Sequence, residues 1–235
     1  MIRRRILDIN LLMKQKYTLI QKEESMATIL CITFSGGFQD AYSYFARGKV
    51  FANAQTGNIV LMASHFFDLD FFGGMKYLVP LLFFALGVFT AEQIEGNHKE
   101  HRSIHWRQMV LLAEVVLLFA SGFLSQDWNL LVNSMISFAC AMQVQAFRKW
   151  NGNAYASTMC IGNLRSGMAN LSAYLRTHEK KTLHSAAYYF EVIFIFFLGA
   201  GIGYIAVAQF GLHAIWFSSL ILLAATTCMW NLNTK

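Results

Sequence analysis

Long apolar runs, each close to the length of a membrane-spanning helix, dominate the chain after residue 26. Examples are MVLLAEVVLLFASGFL and LHAIWFSSLILLAATTCMW, which carry one charged residue and none. A helix of about 20 apolar residues crosses a hydrocarbon core about 30 Å thick. The pattern therefore predicts six membrane-spanning helices, at about 27–46, 77–95, 107–125, 129–148, 186–208 and 212–231.

Two further segments, at about 51–68 and 154–175, have a helical pattern but polar first halves. The first belongs to the stretch GGFQDAYSYFARGKVFANAQTGNIVLMA, and the second to AMQVQAFRKWNGNAYASTMCIGNLRSG. Non-helical backbone at membrane depth is tolerated only where protein or a water-filled cavity satisfies its polar groups. These segments are predicted to be re-entrant or broken helices, and the alternative is that all eight segments cross the membrane.

The positions of Lys and Arg favour six crossings, because cytoplasmic loops carry the excess of basic residues. With a cytoplasmic N-terminus, eight crossings place four basic residues in the internal inside loops and seven in the outside loops. Six crossings place eight inside and leave three outside, namely Arg47, Lys49 and Lys76. The predicted location is a bacterial inner membrane, with both termini in the cytoplasm.

Composition agrees with an all-α, polytopic membrane protein. Of the 235 residues, 56% are hydrophobic and 14% are charged, whereas soluble domains carry about 25% charged residues. The net charge of +6 does not indicate nucleic-acid binding, since the basic residues lie in the N-terminal tail and between apolar segments. Residues 1–25 are predicted to form a basic cytoplasmic tail, without a cleavable signal peptide. Residues 26–231 are predicted to form a single membrane domain.

The two polar segments are related by an offset of 105 residues, which places Gly57-Asn58 on Gly162-Asn163. Each is preceded by one predicted span and followed by two. We therefore predict two internal repeats, at about 27–125 and 129–231. In the six-crossing arrangement the repeats are inverted, as in many transporters, whose binding sites lie at discontinuous helices where the repeats meet.

The Gly-Asn pairs suggest how each polar segment is built. Gly57 and Gly162 permit a sharp turn or a close backbone approach, and Asn58 and Asn163 suit the N-cap of the following helix. Each helix would then direct the positive end of its dipole to the centre of the protein. This arrangement predicts a solute site; the alternative is that the glycines allow close helix packing and the asparagines join helices.

Charged side chains within the predicted spans are further candidates, because such residues are costly and usually functional. Asp40 lies deep in the first span, and Arg165 follows the second Gly-Asn pair. An ion pair between them would bridge the repeats; alternatively, Arg165 extends to the cytoplasmic surface. Glu114 is the other deep acid and is either a proton site or a neutral hydrogen-bond donor between helices.

Uncharged side chains of the polar segments complete the predicted site: Gln39, Asn53, Gln55, Thr56 and Gln143. They would form hydrogen bonds to a solute whose charge stays open. Asp40 favours a cation or a proton, whereas Arg165 and the helix starts favour an anion.

The same residues carry a family resemblance. The stretches GGFQDAY at 36–42 and VFANAQTGN at 50–58, with the weaker AMQVQA at 141–146, resemble the YoaK-like family of small bacterial integral membrane proteins. The resemblance covers roughly residues 26–231. Where the family often has a Thr-Gly pair, this chain has Ile161-Gly162. The resemblance implies a multi-pass membrane protein and assigns no reaction or substrate.

Catalytic motifs are missing from the sequence, so we expect no enzyme activity, no cofactor and no catalytic residues. His98, His101 and His105 have helical spacing that zinc could use, but a solvated loop explains them better, and no metal site is predicted. The predicted partners are the lipid bilayer and a small solute or ion, and a homodimer is possible. The predicted function is a small secondary transporter or channel; the alternative is a scaffold or assembly factor with a structural polar core.

Overall fold

A computed structural model describes residues 26–98, 106–150 and 153–233 of the chain, and most of these residues are helical. The predicted tail at 1–25 lies outside the described residues, as do His101, His105 and the side chain of His98. Eight α-helices occur in the described part: α1 Met26–Ala46, α2 Gln55–Phe67, α3 Phe71–His98, α4 Trp106–Ser121, α5 Asn129–Ala146, α6 Cys160–Thr177, α7 Lys180–Phe210 and α8 Ile215–Asn233.

Short elements complete the described structure. The 3₁₀ turns Gln126–Trp128 and Gly211–Ala214 precede α5 and α8. The two-residue strands Lys149–Trp150 and Asn153–Ala154 pair antiparallel. The helical class is confirmed, with this small hairpin as an addition that the sequence pattern did not predict. The two polar segments begin their helices later than predicted, at Gln55 and Cys160, because their polar first halves form loops.

Two stretches of the described chain are long and apolar enough to cross a membrane. They are Phe71–Gly96, with a mean hydropathy of 1.7, and Lys180–Met229, with 2.2. The second stretch contains α7 and most of α8. Only 22% of the apolar window in each is buried inside the protein, whereas the core helix of a soluble protein is mostly buried. Large apolar side chains are accordingly exposed, including Phe67, Phe72 and Ile161.

The helices form a bundle with two ends, which we call the near end, where α1 begins, and the far end, where α1 ends. Arg47 follows α1 and donates hydrogen bonds to Ser121 O and Ser125 O, so α4 ends at the far end and α5 begins there. Arg148 follows α5 and pairs with Glu92 and Glu95, so α5 and α3 both end at the near end.

Helix α7 runs parallel to α1, because Gly199 faces Phe34 and, further along both helices, the rings of Tyr204 and Phe45 meet edge-on. Helix α8 returns from the far end, since Trp216 donates to Phe119 O and Ser219 donates to Val115 O of α4. Helices α1, α4 and α7 thus run from the near end to the far end, and α3, α5 and α8 run the opposite way.

The helix contacts form matching pairs. Helix α1 packs mainly on α7 and α8, and α5 packs mainly on α3 and α4. Helix α2 packs on α3, and α6 packs on α7. If each helix of α1–α4 is matched in order with a helix of α5–α8, each of these contacts has a counterpart in the other half. For example, the contact of α1 with α7 corresponds to that of α5 with α3.

Glycines set the distance between α1 and α7. A Cβ atom placed on Gly37 would overlap Phe196 O, and one on Gly199 would overlap Phe34 O. The two backbones are therefore in direct contact at this crossing, as small residues allow in membrane helix pairs. Gly201, on the same helix as Gly199, has open space around the position of its Cβ.

We predict that Gly199→Ala lowers the free energy of unfolding by about 1–3 kcal/mol, because the added methyl group forces the backbones apart. Gly201→Ala is the matched control and should leave stability unchanged or raise it by up to about 1 kcal/mol through helix propensity. Thermal unfolding of the detergent-purified variants measures both effects. Equal melting temperatures for the two variants would show that the α1–α7 crossing is not in close contact.

Candidate functional site

The loop that follows α1 folds back along this helix toward the middle of the bundle. Ala52 N donates to Ser43 Oγ at 3.0 Å, and Asn53 N donates to Asp40 Oδ1 at 2.7 Å. The side chain of Asn53 reaches deeper, where its Nδ2 donates to Gly36 O at 3.2 Å. Helix α2 begins two residues later, so its first turn lies near the middle of the bundle.

Helix α2 then returns to the far end, from which its loop came. Its last turn lies beside the start of α3, where His65 contacts Asp70 and the ring of Phe66 contacts Gly74. The 13 residues of α2 span only about 20 Å. This helix therefore extends over about half of the bundle.

The loop before α6 enters from the opposite, near end. Ser157 Oγ donates to Gln143 Oε1 at 3.2 Å, and Tyr189 OH donates to Ala154 O at 2.7 Å. Helix α6 begins just after, at Cys160, and leads back to α7, which starts at the near end. The two loops and their helices thus enter from opposite ends.

The tips of both loops meet at Gly36 of α1. Asn53 donates to its carbonyl oxygen, and a Cβ atom placed on Gly36 would lie 2.6 Å from Thr158 Cγ2. Asn53 and Thr158 are separated by the same offset of 105 residues that relates the Gly-Asn pairs. Only a residue without a side chain leaves room for both tips at this point of the helix.

Asn58 and Asn163 hold the two loops by the same bonds. Asn58 donates through Nδ2 to Phe51 O at 2.7 Å and accepts through Oδ1 from Phe51 N at 3.0 Å. Asn163 bonds Ala156 in the same way, at 2.7 Å to O and 3.4 Å from N. The N-cap prediction is therefore wrong, since both residues lie one turn inside their helices and Ala54 and Met159 occupy the caps.

Glu114 lies at the centre of a buried hydrogen-bond network. Gln39 Nε2 donates to Glu114 Oε1 at 2.8 Å, and Gln143 Nε2 donates to Oε1 and Oε2 at 3.1 and 3.0 Å. All three side chains are fully buried. Ser35, Cys140 and Ser218 extend the network around Gln39, with a bond of 2.7 Å between the two serine hydroxyls.

Asp40 and Arg165 do not form the predicted ion pair in the described part of the chain. The Asp40 carboxylate is buried, and it accepts the bond from Asn53 N while the N–H of Ala54 faces it. Arg165 is exposed on the surface of α6. On its loop side Asp40 is therefore bonded by peptide N–H groups at the start of α2 and not by Arg165.

Two buried oxygen atoms at the loop tips have no hydrogen-bond partner among the described residues: Asn53 Oδ1 and Thr158 Oγ1. Their side chains are 4% and 6% exposed. Buried polar atoms without a partner are rare, and each requires an explanation such as a bound ion or molecule. Asp40 lies one helical turn beyond Gly36, so its carboxylate is on the same face of α1 as both tips.

The other predicted site residues divide into structural and peripheral positions. Gln55 bonds Asn58 and Ala52 O, so it supports the first loop. Gly57 packs against the ring of Phe51, which lies 3.2 Å from the position of its Cβ. Thr56 and Gly162 are exposed, and Gly162 has open space at its Cβ position, so no close approach among the described residues requires that glycine.

Thr158 and Arg47 were not predicted from the sequence as site residues. The 105-residue offset from Asn53 was a signal that identifies Thr158. Arg47 was treated as a loop charge but is fully buried, and it donates to Tyr42 OH at 2.8 Å as well as to carbonyl groups after α4. A cation at the C-terminal end of a helix is stabilised by the helix dipole.

We predict that Asn58→Ala and Asn163→Ala each destabilise the protein by about 1–3 kcal/mol, because both leave peptide groups of a buried loop unpaired. Asn170→Ala is the matched control, since Asn170 makes one local bond to Ser166 O. Thermal unfolding in detergent compares the three variants. A loss for Asn170→Ala as large as that for the other two would contradict a clamping role.

Comparison with known proteins identifies the family of the chain but no characterised relative. No curated protein and no solved structure matches it. The matching family model is described as "Protein of unknown function (DUF1275)" and covers residues 28–228, which agrees with the extent of the YoaK-like resemblance without confirming that name. Since the model matches most of the chain, the protein belongs to the uncharacterised DUF1275 family.

Proposed function

We propose that this protein is a small secondary transporter or channel of the inner membrane, with its solute site where the two loop tips meet. Helices α1, α3, α4, α5, α7 and α8 would cross the membrane, and α2 and α6 would each enter and leave on one side. The observation that carries the proposal is the meeting of two polar loops from opposite ends at Gly36, beside buried oxygen atoms without partners.

Surface chemistry supports the membrane location. Most residues of the two long apolar stretches are not buried inside the protein, and contact with lipid accounts for such a surface. Exposed basic residues of the described part lie mainly at the near end, at Arg148, Lys149, Arg176, Lys180 and Lys181, whereas Lys49 is exposed at the far end. This asymmetry favours a cytoplasmic near end, particularly because Arg47 at the far end is buried rather than free in a loop.

An inverted repeat is supported by three independent features of the structure. Helices α1–α4 and α5–α8 have matching contacts, and each helix runs opposite to its counterpart. The asparagine bonds to Phe51 and Ala156 are the same in both halves. Inverted repeats place transporter sites near the bilayer midplane, at discontinuous helices, and the two tips meet in the middle of the bundle.

The site would combine one acid held in position with two oxygen atoms that have no hydrogen-bond partner among the described residues. Asp40 is held by the start of α2, so its carboxylate would give the site a negative charge in a fixed position. Asn53 Oδ1 and Thr158 Oγ1 would bind the solute, because no other group of the described chain uses them. Gln39, Glu114 and Gln143 already bond one another and would support the site from the neighbouring helices.

A thermal-shift screen of the detergent-purified protein against ions, organic acids, amines, amino acids and sugars tests the proposal. A solute at about 100 times its dissociation constant should add about 2.7 kcal/mol of stability. Thr158→Val should abolish the shift, because valine has the shape of threonine without its hydroxyl. Thr227→Val is the matched control, since Thr227 is exposed and bonds only Ala224 O.

A stabilising solute should also be taken up by proteoliposomes with the wild-type protein and with Thr227→Val, and not with Thr158→Val. If no solute stabilises the protein, or if Thr158→Val responds like the wild type, the solute site is wrong. The buried polar residues would then act as structural contacts in a membrane scaffold.

A further inference from the structure

We propose that the loop tips bind a monovalent alkali cation, with Na⁺ favoured, through Asp40, Asn53 Oδ1 and Thr158 Oγ1. This inference rests on the proposed function and names the ion that would occupy part of that site. Three observations support it: the acids buried in the bundle, the oxygen atoms of the tips that have no hydrogen-bond partner among the described residues, and the bond between Asp40 and the start of α2.

Two buried acids lie at the middle of the bundle without a buried base beside them. Asp40 is 7% exposed and Glu114 is fully buried, and neither has a basic partner in the described residues. Arg47 is the buried cation, but its hydrogen bonds go to Tyr42, Asn129 and carbonyl groups at the far end. An ionised carboxylate in such a place requires a compensating positive charge.

The two acids differ in what surrounds them. Glu114 receives three hydrogen bonds from side-chain amides of Gln39 and Gln143, so its oxygen atoms are already occupied. Asp40 receives peptide N–H groups on the loop side. One turn away, Asn53 and Thr158, whose side-chain oxygen atoms have no partner among the described residues, contact Gly36 of α1. A cation is therefore better placed at Asp40 than at Glu114.

The available atoms are hard oxygen ligands. A carboxylate, an amide oxygen and a hydroxyl suit cations that prefer oxygen over nitrogen or sulfur. Divalent Ca²⁺ takes six to eight oxygen ligands and usually several carboxylates, whereas one carboxylate at the tips balances one positive charge. In transporters, unwound backbone at broken helices is a known position for Na⁺.

An anion is less suited to this site because Asp40 already occupies the positive end of α2. The N–H of Asn53 donates to its carboxylate at 2.7 Å, so a side chain of α1 already accepts from this helix start. The corresponding residue in the second half, at an offset of 105, is Gln145, which bonds Glu92 near the end of α3 instead. The negative charge is thus contributed by one half only.

The test is a thermal-shift titration of the detergent-purified protein with NaCl, LiCl, KCl or choline chloride at constant total ionic strength and pH. We expect a saturable rise in melting temperature with NaCl, beyond that with choline chloride. Thr158→Val should raise the half-saturating Na⁺ concentration by about tenfold or more, the effect of disturbing a metal-site contact. Thr227→Val should leave it unchanged, and Asp40→Asn should abolish the response if that variant folds.

Equal melting temperatures in NaCl and choline chloride would overturn the cation site, as would an unchanged Na⁺ response in Thr158→Val. The solute screen performed in choline chloride separates the two proposals. A solute that stabilises the wild type there, without any effect of alkali ions, would keep the proposed function and remove the cation.

Discussion

The fold depends on one constraint: backbone that leaves its helix in the middle of the bundle must have every peptide group paired. The two entering loops have lost helical hydrogen bonds where no bulk water replaces them. Asn58 and Asn163 compensate by bonding both peptide groups of a loop residue, and Asp40 accepts from the start of α2. The absence of a side chain at Gly36 then lets both tips reach the same point.

This constraint separates two kinds of buried polarity. The network around Glu114 is closed, since amide groups from α1 and α5 occupy the carboxylate and serine hydroxyls bond each other. Such a network fixes the positions of helices. The loop tips are open, because Asn53 and Thr158 each retain a free oxygen atom. The second tip also bonds this network, because Ser157 Oγ donates to Gln143 Oε1.

Sequence reasoning located all eight helices because apolar length and hydrophobic content depend on local composition. It also related the two polar segments, since Gly57-Asn58 and Gly162-Asn163 repeat at one offset. It did not identify the hydrogen-bond partners. The N-cap role of Asn58 and the pairing of Asp40 with Arg165 were wrong, because the true partners depend on the path of the loops. Arg47 illustrates the same limit. A basic residue next to a predicted span is interpreted as part of an exposed loop, and only the structure shows that Arg47 donates to carbonyl groups at the end of α4. Thr158 was detectable only by applying the repeat to Asn53.

Entry of the two half-length helices from opposite faces can be measured by the accessibility of single cysteines to a membrane-impermeant maleimide. Lys49→Cys and Asp68→Cys flank the first loop and α2, and Lys149→Cys and Glu179→Cys flank the second loop and α6; all four positions are exposed. Each is made in a background in which the four native cysteines are replaced by alanine. The first two should react only from outside the cell and the last two only from inside. Reaction of Lys49→Cys and Asp68→Cys from opposite faces would show that α2 crosses the membrane and would contradict the account.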